Sequence, residues 1–147
     1  MPDATSGFFT TTDQGISDKL ISDLVVASSS NPKGALSNIK ALWDTGAMCS
    51  VISEDLAMRL GLSAVSVQKI ATPTNVMDAK MYMVDFILPN SIEVKHINVL
   101  GAYPSSVDVL IGMDIIGLGD FAVTNYLKQT CFTFRIPSKE RIDFSKT

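Results

Sequence analysis

Only one stretch of this chain carries the punctuation of a helix. The other apolar residues come in short runs separated by Pro, Gly, Asn and Ser, a pattern that permits a β architecture and little else. The helix is Ser53-Glu54-Asp55-Leu56-Ala57-Met58-Arg59-Leu60-Gly61: Ser53 suits the N-cap, two acids meet the positive end of the dipole, and Gly61 accepts the left-handed conformation after the last turn. Strands are predicted over 21–27, 39–43, 65–70, 80–88, 92–100, 107–111, 121–124, 130–136 and 141–144, with a helical turn or two at 112–117. Within 80–88, Tyr82, Val84, Phe86 and Leu88 share one face at period two. Within 92–100 the apolar positions change parity, from 92 and 94 to 97 and 99, which predicts a β-bulge near Lys95-His96. Ser28 to Gly34 reads as a long connection, Ala71 to Asp78 as a projecting turn, and Pro137-Ser138-Lys139-Glu140 as the last hairpin turn. The fold class is all-β, a compact barrel or sandwich.

At 147 residues the chain is the size of one domain. Residues 1–20, rich in Thr, Ser and Asp, are expected to form a flexible or docking N-terminal arm, leaving 21–147 as the domain. With 46% apolar and 18% charged residues, a core forms without disulfides or metal. The formal charge of -3 and the absence of a basic stripe argue against nucleic acid as a partner. No apolar run reaches the length that spans a bilayer and the opening residues lack a leader pattern, so no membrane partner and a cytoplasmic location are expected. Cys49 and Cys131 form no Cys-x-x-Cys spacing and are expected to be reduced and mostly buried.

One turn stands out chemically. Ala41-Leu42-Trp43-Asp44-Thr45-Gly46-Ala47 sets a single carboxylate on a tight, small-residue turn after an apolar segment, with Met48-Cys49 and Val51-Ile52 beyond it. Apolar walls on both sides predict a buried acid, and burial favours the protonated form of a carboxyl. Asp before Thr-Gly also serves as a plain turn, its carboxylate bonding nearby amides. Two such turns facing each other would instead pair two acids around one proton, one acting as base on a water and the other as acid toward a carbonyl oxygen.

Asp44-Thr45-Gly46-Ala47, followed by Val51-Ile52-Ser53 and the helix ending Arg59-Leu60-Gly61-Leu62, resembles the retropepsin-like aspartic proteases of cellular and bacterial type. Val109-Leu110-Ile111-Gly112-Met113-Asp114 matches that family's second element, and the two in this order cover about residues 21–144. The resemblance implies a closed β-barrel of the acid protease fold with one or two short helices and one half-site per chain. It implies an aspartic endopeptidase acting on an extended peptide or protein substrate as a homodimer, with no cofactor and no metal. Asp44 would be the catalytic acid of each protomer. Thr45, Gly46 and Ala47 would support the catalytic loop, Thr45 bracing the paired turns and Gly46 offering its carbonyl to substrate. Pro73, Thr74, Asn75 and Val76 would belong to the flap over the substrate.

The chain departs from many viral members in two places. Met48 and Met113 stand where those proteins carry an acid and an arginine that brace the dimer, so an apolar contact is expected in place of an ion pair. The hairpin Thr72-Pro73-Thr74-Asn75 has no glycine, unlike Gly-rich viral flaps. A non-catalytic peptide- or protein-binding module on the same fold is the alternative.

Other motifs carry less. Trp43-Asp44-Thr45-Gly46 is similar to a small-GTPase signature, but no Gly-x-x-x-x-Gly-Lys-Ser/Thr is present to cradle phosphates. Gly117-Leu118-Gly119-Asp120-Phe121-Ala122 fits a loose dinucleotide fingerprint, yet leads from a helical turn into a strand, the reverse of the required order. His96 is the sole histidine and reads as structural, and Met77, Met81 and Met83 suit a core or peptide groove better than a metal.

Overall fold

Alternating apolar residues decide the fold, because strands that are apolar on one face must cover it against one another. The computed structural model describes residues 2–102 and 106–146. In chain order its elements are β1 (Asp3–Ala4), β2 (Gly7–Thr12), β3 (Ile21–Ser28), β4 (Asn31–Trp43), β5 (Val51–Ser53), α1 (Glu54–Arg59), β6 (Ser66–Ala71), β7 (Val76–Leu88), β8 (Ile92–Ala102), β9 (Val109–Ile111), α2 (Met113–Ile116), β10 (Asp120–Thr124) and β11 (Cys131–Ile136).

The larger sheet runs β1-β8-β5-β9-β4-β3-β7-β6, and β7 also pairs with β8. That extra pairing closes a ring, β8-β5-β9-β4-β3-β7, with β1 and the hairpin strand β6 outside it. The predicted barrel is therefore closed. Tyr82, Val84, Phe86 and Leu88 are all buried, as their alternation requires, and they join Leu24, Val26, Ile52, Val94, Val99, Val109 and Ile111 inside. Each such burial contributes on the order of 1.5–3 kcal/mol.

The bulge falls where parity placed it. Val84 pairs with Ile97 and Phe86 with Val94, so Lys95 and His96 together face Asp85, and His96 takes a φ of 60°. Asp85 is buried there because it has partners: it accepts the His96 N–H at 2.9 Å and the Ser29 hydroxyl at 2.7 Å. The helix also matches. Ser53 Oγ accepts the Leu56 N–H at 3.0 Å, and Gly61 sits at φ +65° after the last turn.

Three expectations are corrected by pairing. First, the stretch 28–34 is no long connection: Ser28 pairs with Asn31 across a tight turn, and β4 runs from Asn31 straight to Trp43. Irregular register between Leu24 and Ser28 lets this polar, Pro-containing segment stay in the ladder at bulges. Second, residues 141–144 do not form a strand. Asp120 holds Ser138 Oγ at 2.5 Å and the Lys139 N–H at 2.8 Å, so the chain leaves β11 sideways instead of turning back, and Phe144–Lys146 close in a 3₁₀ turn.

The third concerns the first twenty residues, expected as a flexible or docking arm beside a domain of 21–147: they are docked, as strands that share the domain's sheets. β1 pairs with β8, and β2 forms the edge of a second sheet, β10-β11-β2. Phe9 of β2 is buried in the core. It belongs to an aromatic cluster with Trp43, Phe121, Phe132 and Phe134 that fastens this sheet to the barrel. Among the described residues no helix is long and apolar enough to cross a membrane.

Candidate functional site

The Asp44 turn is set by β4 and β9 together. Leu42 and Trp43 pair in parallel with Leu110 and Ile111, and the Asp44 N–H extends that ladder to Ile111 O at 2.9 Å. The turn then closes on itself: Asp44 Oδ1 accepts the Gly46 N–H at 2.8 Å, and Asp44 O accepts the Ala47 N–H at 3.2 Å. This leaves Oδ2 of Asp44 without a role in shaping the turn. Asp44 is half-buried rather than buried, because Thr45 and Gly46 project to the surface and cover nothing. Beneath it Trp43 is enclosed, its Nε1 donating to Ser22 Oγ at 2.9 Å.

Two residues that sequence reasoning did not select hold this turn to its neighbour. Ser50 is fully buried; its N–H and hydroxyl donate to the two carboxylate oxygens of Asp114, each at 2.8 Å. Ser50 Oγ accepts the Gly112 N–H at 3.0 Å, and Ala47 O accepts the Met113 N–H at 2.8 Å. The whole segment 47–50 is thereby laced to 112–114. A Cβ on Gly112 would lie 2.8 Å from the Cys49 carbonyl, so the close approach requires glycine. The Cys49 thiol is pushed up from its usual range by burial, with the Asp114 charge adding to it. The signal for the pair was an acid just past Gly112 and a hydroxyl just past the turn, visible only once β9 is laid beside β4.

Asp44, Thr45, Gly46 and Ala47 share one turn, and Met48 and Met113 flank it, 88% and 44% exposed. Pro73, Thr74 and Asn75 form the exposed tip of the β6–β7 hairpin, and Val76 opens β7. Without glycine the tip is tied by side chains: the Thr72 hydroxyl donates to Asn75 O at 2.9 Å and accepts the Asn75 N–H at 3.0 Å, while Asn75 Oδ1 accepts the Val76 N–H at 2.8 Å. Lys69 and Asp78 pair across the hairpin at 3.0 Å, a surface contact worth less than about 1 kcal/mol. Among the described residues no three His, Cys, Asp or Glu side chains converge as a metal site.

Residues 34–117 match the family model described as "gag-polyprotein putative aspartyl protease", more than half of the chain. The chain belongs to this aspartyl protease family. The matched span takes in the Asp44 turn, the β6–β7 hairpin, β9 and α2, and leaves β1, β2, β3, β10 and β11 outside. Solved structures carry the same retropepsin-like fold. A retropepsin-like aspartic protease from Rickettsia conorii superposes with a TM-score of 0.59 at 16% identity, covering 90% of this chain and 96% of that one. The EIAV protease complexed with the inhibitor HBY-793 gives 0.51 at 16% identity, over 69% of this chain and 88% of that one. The retroviral protease-like domain of Ddi1 from Leishmania major gives 0.50 at 15% identity, over 84% and 97%. No curated protein sequence matches significantly.

Proposed function

We propose that the chain is an aspartic endopeptidase that acts as a homodimer, two Asp44 carboxylates meeting across a two-fold axis to activate one water against an extended peptide bond. The observation that carries this is the Asp44 turn: a half-buried carboxylate fixed by β4 and β9, with one oxygen left over and its Thr45-Gly46 neighbours facing outward. One such turn per chain supplies half of an acid–base pair, and a two-fold axis is the simplest operation that supplies the other half. Two adjacent carboxylates hold one proton between them, which gives the site its base for water and its acid for the carbonyl oxygen.

Met48 and Met113 flank the turn on the side where a second copy would approach, and their flexible thioether side chains suit a contact between copies. Pro73, Thr74, Asn75 and Val76 form the flap over the peptide in this reading. Thr45 braces the paired turns, and Gly46 and Ala47 leave room for an extended backbone.

The test combines sedimentation with peptide hydrolysis by the parent and by Asp44→Asn. A dimer whose cleavage disappears in the variant is expected; undiminished cleavage in Asp44→Asn sinks the reading. The second reading, a peptide-binding module without catalysis, draws on the exposed Val67, Val76 and Met77 of the hairpin. Peptide binding that is unaffected by Asp44→Asn, with no turnover by the parent, would decide for it.

A further inference from the structure

We infer that Asp114 is the positioning residue of the Asp44 turn: clamped on Ser50, its carboxylate sets where the turn stands relative to β9 and so where two Asp44 carboxylates meet. The inference rests on the peptidase reading for its catalytic consequence and on geometry for the rest.

Asp114 has two oxygens and both are used. Oδ2 takes the Ser50 N–H at 2.8 Å; Oδ1 takes the Ser50 hydroxyl at 2.8 Å and the Ile115 N–H at 3.0 Å. Ser50 is completely buried, so its N–H and hydroxyl have no water to turn to if the carboxylate is lost. The hydroxyl also receives the Gly112 N–H at 3.0 Å, which makes Ser50 a relay between Asp114 and the end of β9. From Ser50 the chain leads back through Cys49 and Met48 to Ala47, whose carbonyl is held by the Met113 N–H at 2.8 Å and whose N–H is held by Asp44 O. Both Asp114 oxygens are taken up by donors of the chain itself. Asp114 acts through Ser50, by preventing the segment 47–50 from drifting away from 112–114.

A carboxylate bonded to a neutral donor pair makes charge-assisted bonds, stronger than those an amide would offer. Asparagine keeps one acceptor but turns an N–H₂ group toward a donor, so it preserves half of the clamp; alanine preserves none. Catalytic geometry is sensitive to displacement, and a shift of 1 Å costs on the order of 10²-fold in rate.

The experiment measures peptide hydrolysis and backbone amide exchange for the parent, Asp114→Ala, Asp114→Asn, Ser50→Ala and the Ser50→Ala/Asp114→Ala double variant, with Asp44→Asn as control. Expected are a kcat about 10²-fold lower for Asp114→Ala with KM within about threefold, an intermediate value for Asp114→Asn, and a double variant no worse than the poorer single one. Exchange at the Gly46 and Ala47 amides should rise by roughly tenfold in Asp114→Ala while core amides of β7 keep parent rates. Ser50→Ala is read in the same way where Asp114→Ala fails to fold. A folded variant with parent kcat, or turn amides that exchange at parent rates, overturns the inference. Cleavage that survives Asp44→Asn instead overturns the peptidase reading, and the exchange data then decide the clamp alone.

Discussion

Trp43 stacks on Phe121 with ring centroids 5.5 Å apart and planes within 6° of parallel, immediately before Asp44 in the chain. Phe9, Phe132 and Phe134 close around the same indole, so three strands of the second sheet and the end of β4 share one aromatic layer. The floor of the candidate site is thus built from residues more than a hundred positions apart, held by ring pairs each worth about 0.5–1.5 kcal/mol beyond their burial.

Trp43→Ala should cost about 3–5 kcal/mol, since it empties the centre of this layer and leaves the Ser22 hydroxyl without its donor. Thermal unfolding followed by circular dichroism is the measurement, because the variant lacks the only tryptophan. A loss below about 1 kcal/mol would show that the layer repacks.

Replacing Asp85 tests the bulge. Asp85→Ala strands the His96 N–H and the Ser29 hydroxyl in the sheet, at about 1–3 kcal/mol for a buried group left unsatisfied. Urea unfolding of Asp85→Ala should show a lower midpoint with unchanged slope, as expected when stability falls and the exposed surface does not change.

Acid sensitivity should trace to Asp120. Hydrogen bonds from the Ser138 hydroxyl, the Lys139 N–H and Arg135 hold its carboxyl well below the ordinary value of 3.8. A folded value lower than the unfolded one means the group stabilises the fold fully above pH 3.8 and loses that contribution as pH falls below it toward the folded value. Melting temperatures recorded across this range should fall more steeply for the parent than for Asp120→Asn. Parallel profiles would assign acid unfolding to other carboxylates.

Gly112→Ala should damage the site more than the fold. The added methyl meets the Cys49 carbonyl at 2.8 Å and the Ala47 carbonyl at 2.9 Å, so β9 and the Asp44 turn must separate. Overpacking of this kind costs about 1–3 kcal/mol, whereas the turn's displacement should remove most peptide hydrolysis. Activity assays beside melting curves distinguish the two effects.

Local features were legible in the sequence wherever one residue's physical preference had no competitor. Ser53 and Gly61 bracket α1 because capping and a left-handed turn are local matters. The parity change at Lys95-His96 exposed the bulge because side chains alternate strictly between faces. Pairing partners distant in sequence were not legible. Thr10 of β2 lies opposite Thr133 of β11, and no local signal in a Thr-rich stretch announces a partner that far away. The same reason hid the early start of β4, the non-strand end of the chain, and the Ser50–Asp114 clamp. The Asp44 turn itself was readable, but its half-exposed state was not, since Trp43 is buried beneath the turn while Met48 stands out in solvent instead of folding over it.

β7 carries a mechanical consequence. It runs without interruption from Val76 at the hairpin tip to Leu88 in the barrel wall, and five of its residues, Val76 through Lys80, pair only with β6. At roughly 3.3 Å per residue this is a cantilever about 17 Å long, clamped where Met81 becomes buried and pairs with β8. A loop hinge would let the tip swing freely; a cantilever returns to its resting line, so displacing the tip means working against the stiffness of the barrel wall.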